Sequence, residues 1–385
     1  MNNLGCCLRT LGSAIGSIIV CSANSAFAQI MQDETLPNNS QVTPLNNQIT
    51  AITGGTRVGD NLFHSFLNFS VSSGSTVSFQ NPVDIQNIIS RVTGNSISNI
   101  NGTLKTEGTA NLFLINPNGI VFGPNAALDI RGSFLASTAT SINFADGKQF
   151  SAKALQSSSL LSVTIPTGLQ FGVTAAPILN QSQASPNGAK NVIRQPVGLQ
   201  VGSGKTLALV GGDLLLDGGN VTARSGNIEL GSVAPNSLVS IKPSSQGWVL
   251  GYESVNNFQN IRLVPRRVGN TEVGAVVDTS SPVNGIDGGG SITVQGSIVE
   301  LISRGATLTS QTLGSRKGQD ITINAKNLIL RDGAQVRVSA FDKGNGGNIN
   351  VNASDSVDLI GSFIVPGNNP IPSALVSLTA GDGDA

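Results

Sequence analysis

The chain has 385 residues, enough for two or three ordinary domains or one elongated array, and its charges balance at 22 basic against 22 acidic. Glycine supplies 46 residues and charged side chains only 11 %, against roughly 25 % in average domains, which describes a β-rich chain with many tight turns. Zero net charge without a basic run argues against nucleic acid and against a polybasic membrane surface as partners.

Residues 1–28 read as a secretory signal peptide. Arg9 is its only charge, Leu11 to Val20 form a short apolar stretch, and Ala26-Phe27-Ala28 offers a small-x-small cleavage site before Gln29. A lipoprotein reading of Cys21 competes, but Val20 stands where a small residue is needed. The stretch is too short for a membrane helix, and no later run reaches the roughly 18 apolar residues a span requires. Cys6, Cys7 and Cys21 all precede the cleavage site, so the mature chain has no disulfide and must draw stability from a continuous core and long hydrogen-bond ladders.

Residues 29–46, rich in Pro and Asn and poor in apolar side chains, are expected to be a flexible leader, with the fold beginning near Gln48. From 47 to 165 the pattern is short strand, turn, short strand, through Phe66 to Val71, Thr76 to Phe79, Asn111 to Ile115, Ile120 to Phe122, Ala127 to Ile130 and Ser141 to Phe144. Val83 to Val92 is the one candidate helix, because Ile85, Ile88, Ile89 and Val92 fall at helical spacing, although its β-branched content opposes this. Between 166 and 265 the strand rhythm continues, and 266–287 reads as a variable linker.

Residues 288–385 repeat. Ile292, Ile321 and Ile349 align at the heart of three similar runs, and Gly305-Ala306 aligns with Gly333-Ala334 in the same register. A repeat of 28 or 29 residues that returns an aliphatic strand to the same place stacks its Ile and Val into a column, as in a parallel β-helix. The chain ends on Gly381-Asp382-Gly383-Asp384-Ala385, which resembles the start of another repeat, so the expectation is a truncated or short array.

The most informative local feature is Asn116-Pro117-Asn118-Gly119-Ile120, a corner between two apolar runs. Pro117 presets φ, Asn118 tolerates the left-handed region and Gly119 adds no steric cost. This stretch, with Ile52-Thr53-Gly54-Gly55-Thr56-Arg57, Leu62-Phe63-His64-Ser65-Phe66, Arg91-Val92-Thr93-Gly94 and Gly132-Ser133-Phe134, resembles the haemagglutination-activity domain of two-partner-secretion exoproteins of the filamentous-haemagglutinin type, in a pattern closer to their cyanobacterial branch.

The resemblance implies a right-handed parallel β-helix whose secretion domain, here 47–165, carries extra β-elements. It implies secretion or display at the cell surface through the periplasm and outer membrane. The partner would be an outer-membrane pore protein with periplasmic modules, and the role surface adhesion to a host, cell-surface or carbohydrate receptor. Asn116, Pro117, Asn118, Gly119 and Ile120, with Arg91, Val92, Thr93 and Gly94, are the candidate partner-recognition or structural-turn residues. One departure stands out: other members carry Asn-Pro-Asn-Leu upstream, where this chain has Asn81-Pro82-Val83-Asp84.

No catalytic residue, metal site or cofactor is expected. Gly202-Ser203-Gly204-Lys205-Thr206 fails as a phosphate loop because Leu199 stands where Gly is required and a strand follows, so it reads as a β-turn. His64, the sole histidine, sits between Phe63 and Phe66 with no nucleophile elbow nearby. The glycine clusters at 288–290 and 344–347 lack the spaced aspartates of a calcium array. The main alternative is a β-helical carbohydrate-active enzyme, which would need Asp213, Asp217 and Glu229 to converge in one groove. An autotransporter passenger would need a C-terminal barrel, and none is visible.

Overall fold

The computed structural model describes residues 30–153, 161–283, 285–364, 367 and 369–381; the expected signal peptide, the expected cleavage site after Ala28 and all three cysteines lie outside them. The chain coils into a parallel β-helix with three columns of strands. One column stacks Asn61–Phe69, Asn87–Val92, Asn111–Ile115, Phe134–Ser137, Thr206–Gly211, Asn227–Ser232, Ser291–Gln295, Ile321–Arg331 and Ile349–Ile360, all in parallel.

Each rung turns a corner into the second column, which runs from Ser98–Ile100 through Ile120–Phe122, Ile178–Asn180, Leu214–Asp217 and Ile261–Val264 to Ile298–Ile302 and the later half of Ile321–Arg331. The third column begins with Ile49–Gly54, Thr76–Phe79, Thr103–Thr106 and Ala127–Asp129. It continues with Leu199–Gln200, Val221–Thr222, Val276–Asp278, Thr307–Thr312, Gln335–Ala340 and Ala374–Thr379. Alternate residues point inward, so Ile, Val, Leu and Phe from every rung fuse into one axial core.

The expected repeat register is observed: Ile292 pairs with Ile321, Ile321 with Ile349, and Leu308 with Val336. The expected extra β-elements are present as well. They form an antiparallel sheet of Ser141–Phe144, Gln149–Ser151, Pro166–Gln170, Leu238–Ser244 and Gly247–Gly251. Both insertions leave the helix at the corner that follows a first-column strand, after Phe134–Ser137 and after Asn227–Ser232. This sheet lies over the outer face of the first column and traps a second core that includes Phe63, Phe113, Leu135, Phe150 and Trp248.

Three expectations are corrected. Asn87–Val92 is a strand, not part of a helix: Ile88 enters the axial core while Ile89 enters the second core, so both faces are apolar and the alternation that marks a strand disappears. Residues 30–46 are not a loose leader. Ile30–Gln32 pairs antiparallel with the first rung, Ser40–Pro44 pairs antiparallel with Ile49–Gly54, and Leu36 is buried. These strands cover an edge that a parallel stack would otherwise leave open. Residues 266–287, expected as a linker, contain a small hairpin and the third-column rung Val276–Asp278.

Candidate partner-recognition site

The two motifs singled out in the sequence occupy the same corner in successive coils. Asn87–Val92 ends at Thr93-Gly94, and Asn111–Ile115 ends at Asn116-Pro117-Asn118-Gly119 one rung further along. Asn116 closes the turn by accepting the Gly119 N–H at 3.1 Å through its own carbonyl. Its side-chain Nδ2 donates to the Ser96 carbonyl at 3.0 Å and to Ser98 Oγ at 2.9 Å, and Asn118 Nδ2 donates to the Gly94 carbonyl at 2.8 Å. The corner therefore clamps its predecessor.

Gly119 has φ of 123°, a region that β-branched residues avoid. Gly94 is needed for space instead: any β-carbon there would strike the Leu67 carbonyl oxygen. Pro117 fixes the turn, while Val92 and Ile120 serve the axial core.

Arg91 has a different task, and the corrected N-terminal segment explains it. Arg91 is 3 % exposed, and its guanidinium carbon sits 4.2 Å from the centre of the Phe150 ring. Its Nε donates to Ser65 Oγ at 2.8 Å, one terminal nitrogen donates to Thr35 Oγ1 at 2.9 Å, and the other donates to the Ser151 carbonyl. Burial pulls its pKa down to about 10, and the nearby Asp33 charge opposes that. Asp33 in turn accepts from Ser65 Oγ at 2.7 Å, Thr93 Oγ1 at 2.6 Å and Thr35 Oγ1 at 2.7 Å. Burial alone would raise its carboxyl pKa, but these bonds outweigh burial and hold it below the usual value. Arg91 and Thr93, with Ser65, thus fasten the N-terminal segment to the first and second coils.

An asparagine ladder escaped the sequence reading. Asn87 Nδ2 donates to Asn61 Oδ1 and Asn111 Nδ2 to Asn87 Oδ1, each at 3.0 Å, and Asn111 Oδ1 then accepts the Ser133 N–H. The signal was available, since each Asn opens an apolar run and successive members lie 26 and 24 residues apart. Asn81, in the departing Asn-Pro-Val-Asp segment, also bridges coils, accepting the Glu107 N–H at 3.0 Å.

Around the corner, large apolar side chains remain exposed: Leu67 at 42 %, Ile97 at 44 % and Met31 at 46 %. Leu67 lies against Gly94, Ile97 against Gly119, and Met31 beside Asn68. Asn118 Oδ1 accepts from Lys153 Nζ at 3.0 Å at the same corner.

The residues weighed for chemistry do not assemble into a site. His64 is buried, packs against Phe66 and Phe79, and lies 3.0 Å from Ser40 Oγ; burial pulls its pKa down to about 3, so it is neutral. Gly202 to Lys205 is a turn closed by Lys205 N–H on the Gly202 carbonyl, and a strand follows. Asp213 and Asp217 flank a second-column strand and accept from the Asn260 N–H and from Gln181 Nε2, whereas Glu229 belongs to the first column. Among the described residues no group of three or more His, Cys, Asp or Glu gathers as metal ligands would, and no helix is long and apolar enough to cross a membrane.

A family model described as the TPS secretion domain matches residues 28–275. The chain belongs to the two-partner-secretion (TPS) family. No curated protein matches it. Among solved structures, the chain is similar to the HMW1 secretion domain from Haemophilus influenzae, with 17 % identity and a TM-score of 0.47 over 86 % of this chain and 84 % of that one. It is also similar to the filamentous haemagglutinin secretion domain, with 16 % identity and a TM-score of 0.41 over 91 % and 99 %. The TPS match takes in the N-terminal strands, both insertions and the residues of the corner, and it stops just before Val276–Asp278. A TPS domain makes this protein an exoprotein of a two-partner secretion system, whose partner is an outer-membrane protein.

Proposed function

We propose that the chain is cleaved after Ala28, is recognised in the periplasm by modules of its outer-membrane pore partner through the corner face of Leu67, Ile97 and Asn118, and serves adhesion once outside. The observation that carries this is the exposed apolar side chains. Leu67, Ile97 and Met31 stay exposed beside a corner whose polar atoms are already bonded to one another, so this face offers apolar surface with few unmet polar groups to a partner. Export suits the architecture, because each coil adds to a finished one through short-range contacts.

The test is co-expression with the partner, reading the ratio of extracellular to periplasmic mature protein. The paired substitution Leu67→Asp with Ile97→Asp is expected to lower that ratio at least several-fold while leaving the melting temperature within a few degrees of wild type. Gly119→Val, which strains the turn itself by about 1–3 kcal/mol, is expected to lower both. A wild-type export ratio in the paired variant would remove this face from partner recognition.

A further inference from the structure

On the first column, just beyond the insertion sheet, a groove of about 500 Å³ runs over the outer faces of Ser291, Thr293 and Thr322 and is rimmed by Lys317, Gln319 and Asp320. Lys317 and Gln319 also line a neighbouring hollow of about 260 Å³, whose far wall includes Gln246 at the tip of the insertion hairpin. The two hollows share Lys317 and Gln319, and Gln319 Nε2 donates to Gln246 Oε1 at 3.0 Å, so together they make a track that reaches from the TPS domain to the repeats. We propose that this track binds a neutral, hydroxyl-rich oligosaccharide chain lying along the helix axis.

The lining selects that class of ligand. Parallel pairing sets Thr293 beside Thr322 and Thr322 beside Asn350, so a hydroxyl or amide recurs at each rung, about 4.8 Å apart. That interval is close to the rise of an extended hexose chain. Charge is present but balanced. Arg316 is paired with Asp287 at 2.9 Å, and the groove rim sets one free ammonium, Lys317, against one carboxylate, Asp320. Asp320 holds Asn348 and Asn350 by side-chain bonds of 3.1 Å and takes the Asn348 N–H at 2.8 Å, which keeps an acceptor fixed at the rim. A polyanion would gain nothing net from such walls, while a sugar hydroxyl both donates and accepts and can use Lys317, Gln319, Asp320 and the threonines alike. No aromatic ring lines the track, so a single chain binds weakly and a surface coated with many copies gains by multivalency.

The inference deepens the adhesive part of the proposed function and is independent of the export part. Mature chain is titrated with a neutral β-linked hexose hexamer and, in parallel, with a uronate hexamer of similar length, following amide chemical shifts. The neutral hexamer is expected to bind, with shifts confined to the repeats around Thr293 and Thr322. The variant Lys317→Ala with Thr322→Val is expected to weaken it at least five-fold, with the circular dichroism melt unchanged. Absence of binding, undiminished binding in the variant, or binding of the uronate hexamer alone would each overturn the proposal. Export of the same variants reports on the secretion reading separately, since none of these residues touches the corner face.

Discussion

One column of residues passes through two environments. Reading along the outer face of the first column, Phe63, Ile89, Phe113, Leu135, Ala208, Glu229, Thr293, Thr322 and Asn350 are successive neighbours. Under the insertion sheet the column is apolar and buried; beyond it Thr293 and Thr322 are half-exposed and Asn350 is exposed. The backbone is the same throughout. What changes is whether a second layer covers the sheet, and that decides both the residue types and how much each position contributes to stability.

The largest contrast comes from truncating one position in each environment. Phe113 is fully buried, with its ring centre 4.4 Å from that of Trp248. Phe113→Ala is expected to cost about 3–5 kcal/mol, since it removes an aromatic ring from a closed core. Thr322→Ala, on the same column but outside the cover, is expected to stay within about 0.5 kcal/mol of wild type. Denaturant melts of both variants test the contrast, and a comparable loss in the two would mean that the insertion sheet adds little to the covered coils.

Glu229 stands at the boundary and carries its cost. Burial lifts its carboxyl pKa to about 8, against the opposing hydrogen bonds from the Leu250 N–H and the Thr293 hydroxyl. Its Oε2 and the nearby Tyr252 hydroxyl are both buried without a hydrogen-bond partner among the described residues. Folded-state protonation outlasts that of the unfolded chain, so this group's contribution to stability is full below about pH 4.5 and is lost as the pH rises to about 8. Glu229→Gln is expected to remove that slope. Its stabilising effect over wild type should be near zero at pH 4.5 and grow to a few kcal/mol at pH 8, seen as diverging melting temperatures. Parallel pH profiles for the two proteins would refute the neutral carboxyl.

The same contrast explains which parts of the molecule were legible in the sequence. In the open repeats one face is solvated, so Ile292, Thr293 and Val294 alternate cleanly and the 28- or 29-residue register emerged from spacing alone. Under the insertion sheet Ile88 and Ile89 are both buried, the alternation vanishes, and the run mimics a helical period. The N-terminal strands were missed for another reason. They are held by few apolar contacts and by Asp33, whose partners Ser65 and Thr93 lie 32 and 60 residues away, a separation no local pattern reveals. The turn at Asn116 to Gly119 was legible because its demand is local, a proline followed shortly by a glycine that takes positive φ; Asn118, expected to suit a left-handed position, does not take one and serves through its side chain instead. What Arg91 does within the neighbouring motif depends on segments far along the chain, and so could not be read.

Asp33 offers a test that joins the two ends of that argument. Asp33→Ala leaves the Arg91 guanidinium buried without its nearby carboxylate and removes the acceptor of Thr93, so a loss of about 2 kcal/mol is expected at neutral pH. Because the folded-state pKa of Asp33 is lowered, its contribution is present above about pH 4 and disappears as the pH falls through the folded value. Variant and wild type should therefore converge in stability as the pH falls below the ordinary carboxylate range. Faster proteolysis near residues 30–46 in the variant would locate the loss at the N-terminal strands.

The smallest effect separates two ladders built from the same side chain. Asn87 is buried and bonded on both sides, donating to Asn61 and accepting from Asn111, whereas Asn352 is exposed and donates once, to Asn324 Oδ1 at 2.8 Å. Asn87→Ala strands an acceptor on Asn61 and a donor on Asn111 where water has little access, so about 1–2 kcal/mol should be lost. Asn352→Ala exposes its neighbour to solvent that can replace the bond, so the change should fall below about 0.5 kcal/mol. Identical chemistry then yields different costs only through the presence or absence of cover. Equal losses in the two variants would instead locate the stabilisation in the ladder geometry itself, and the covering sheet would lose its place as the cause of the contrast.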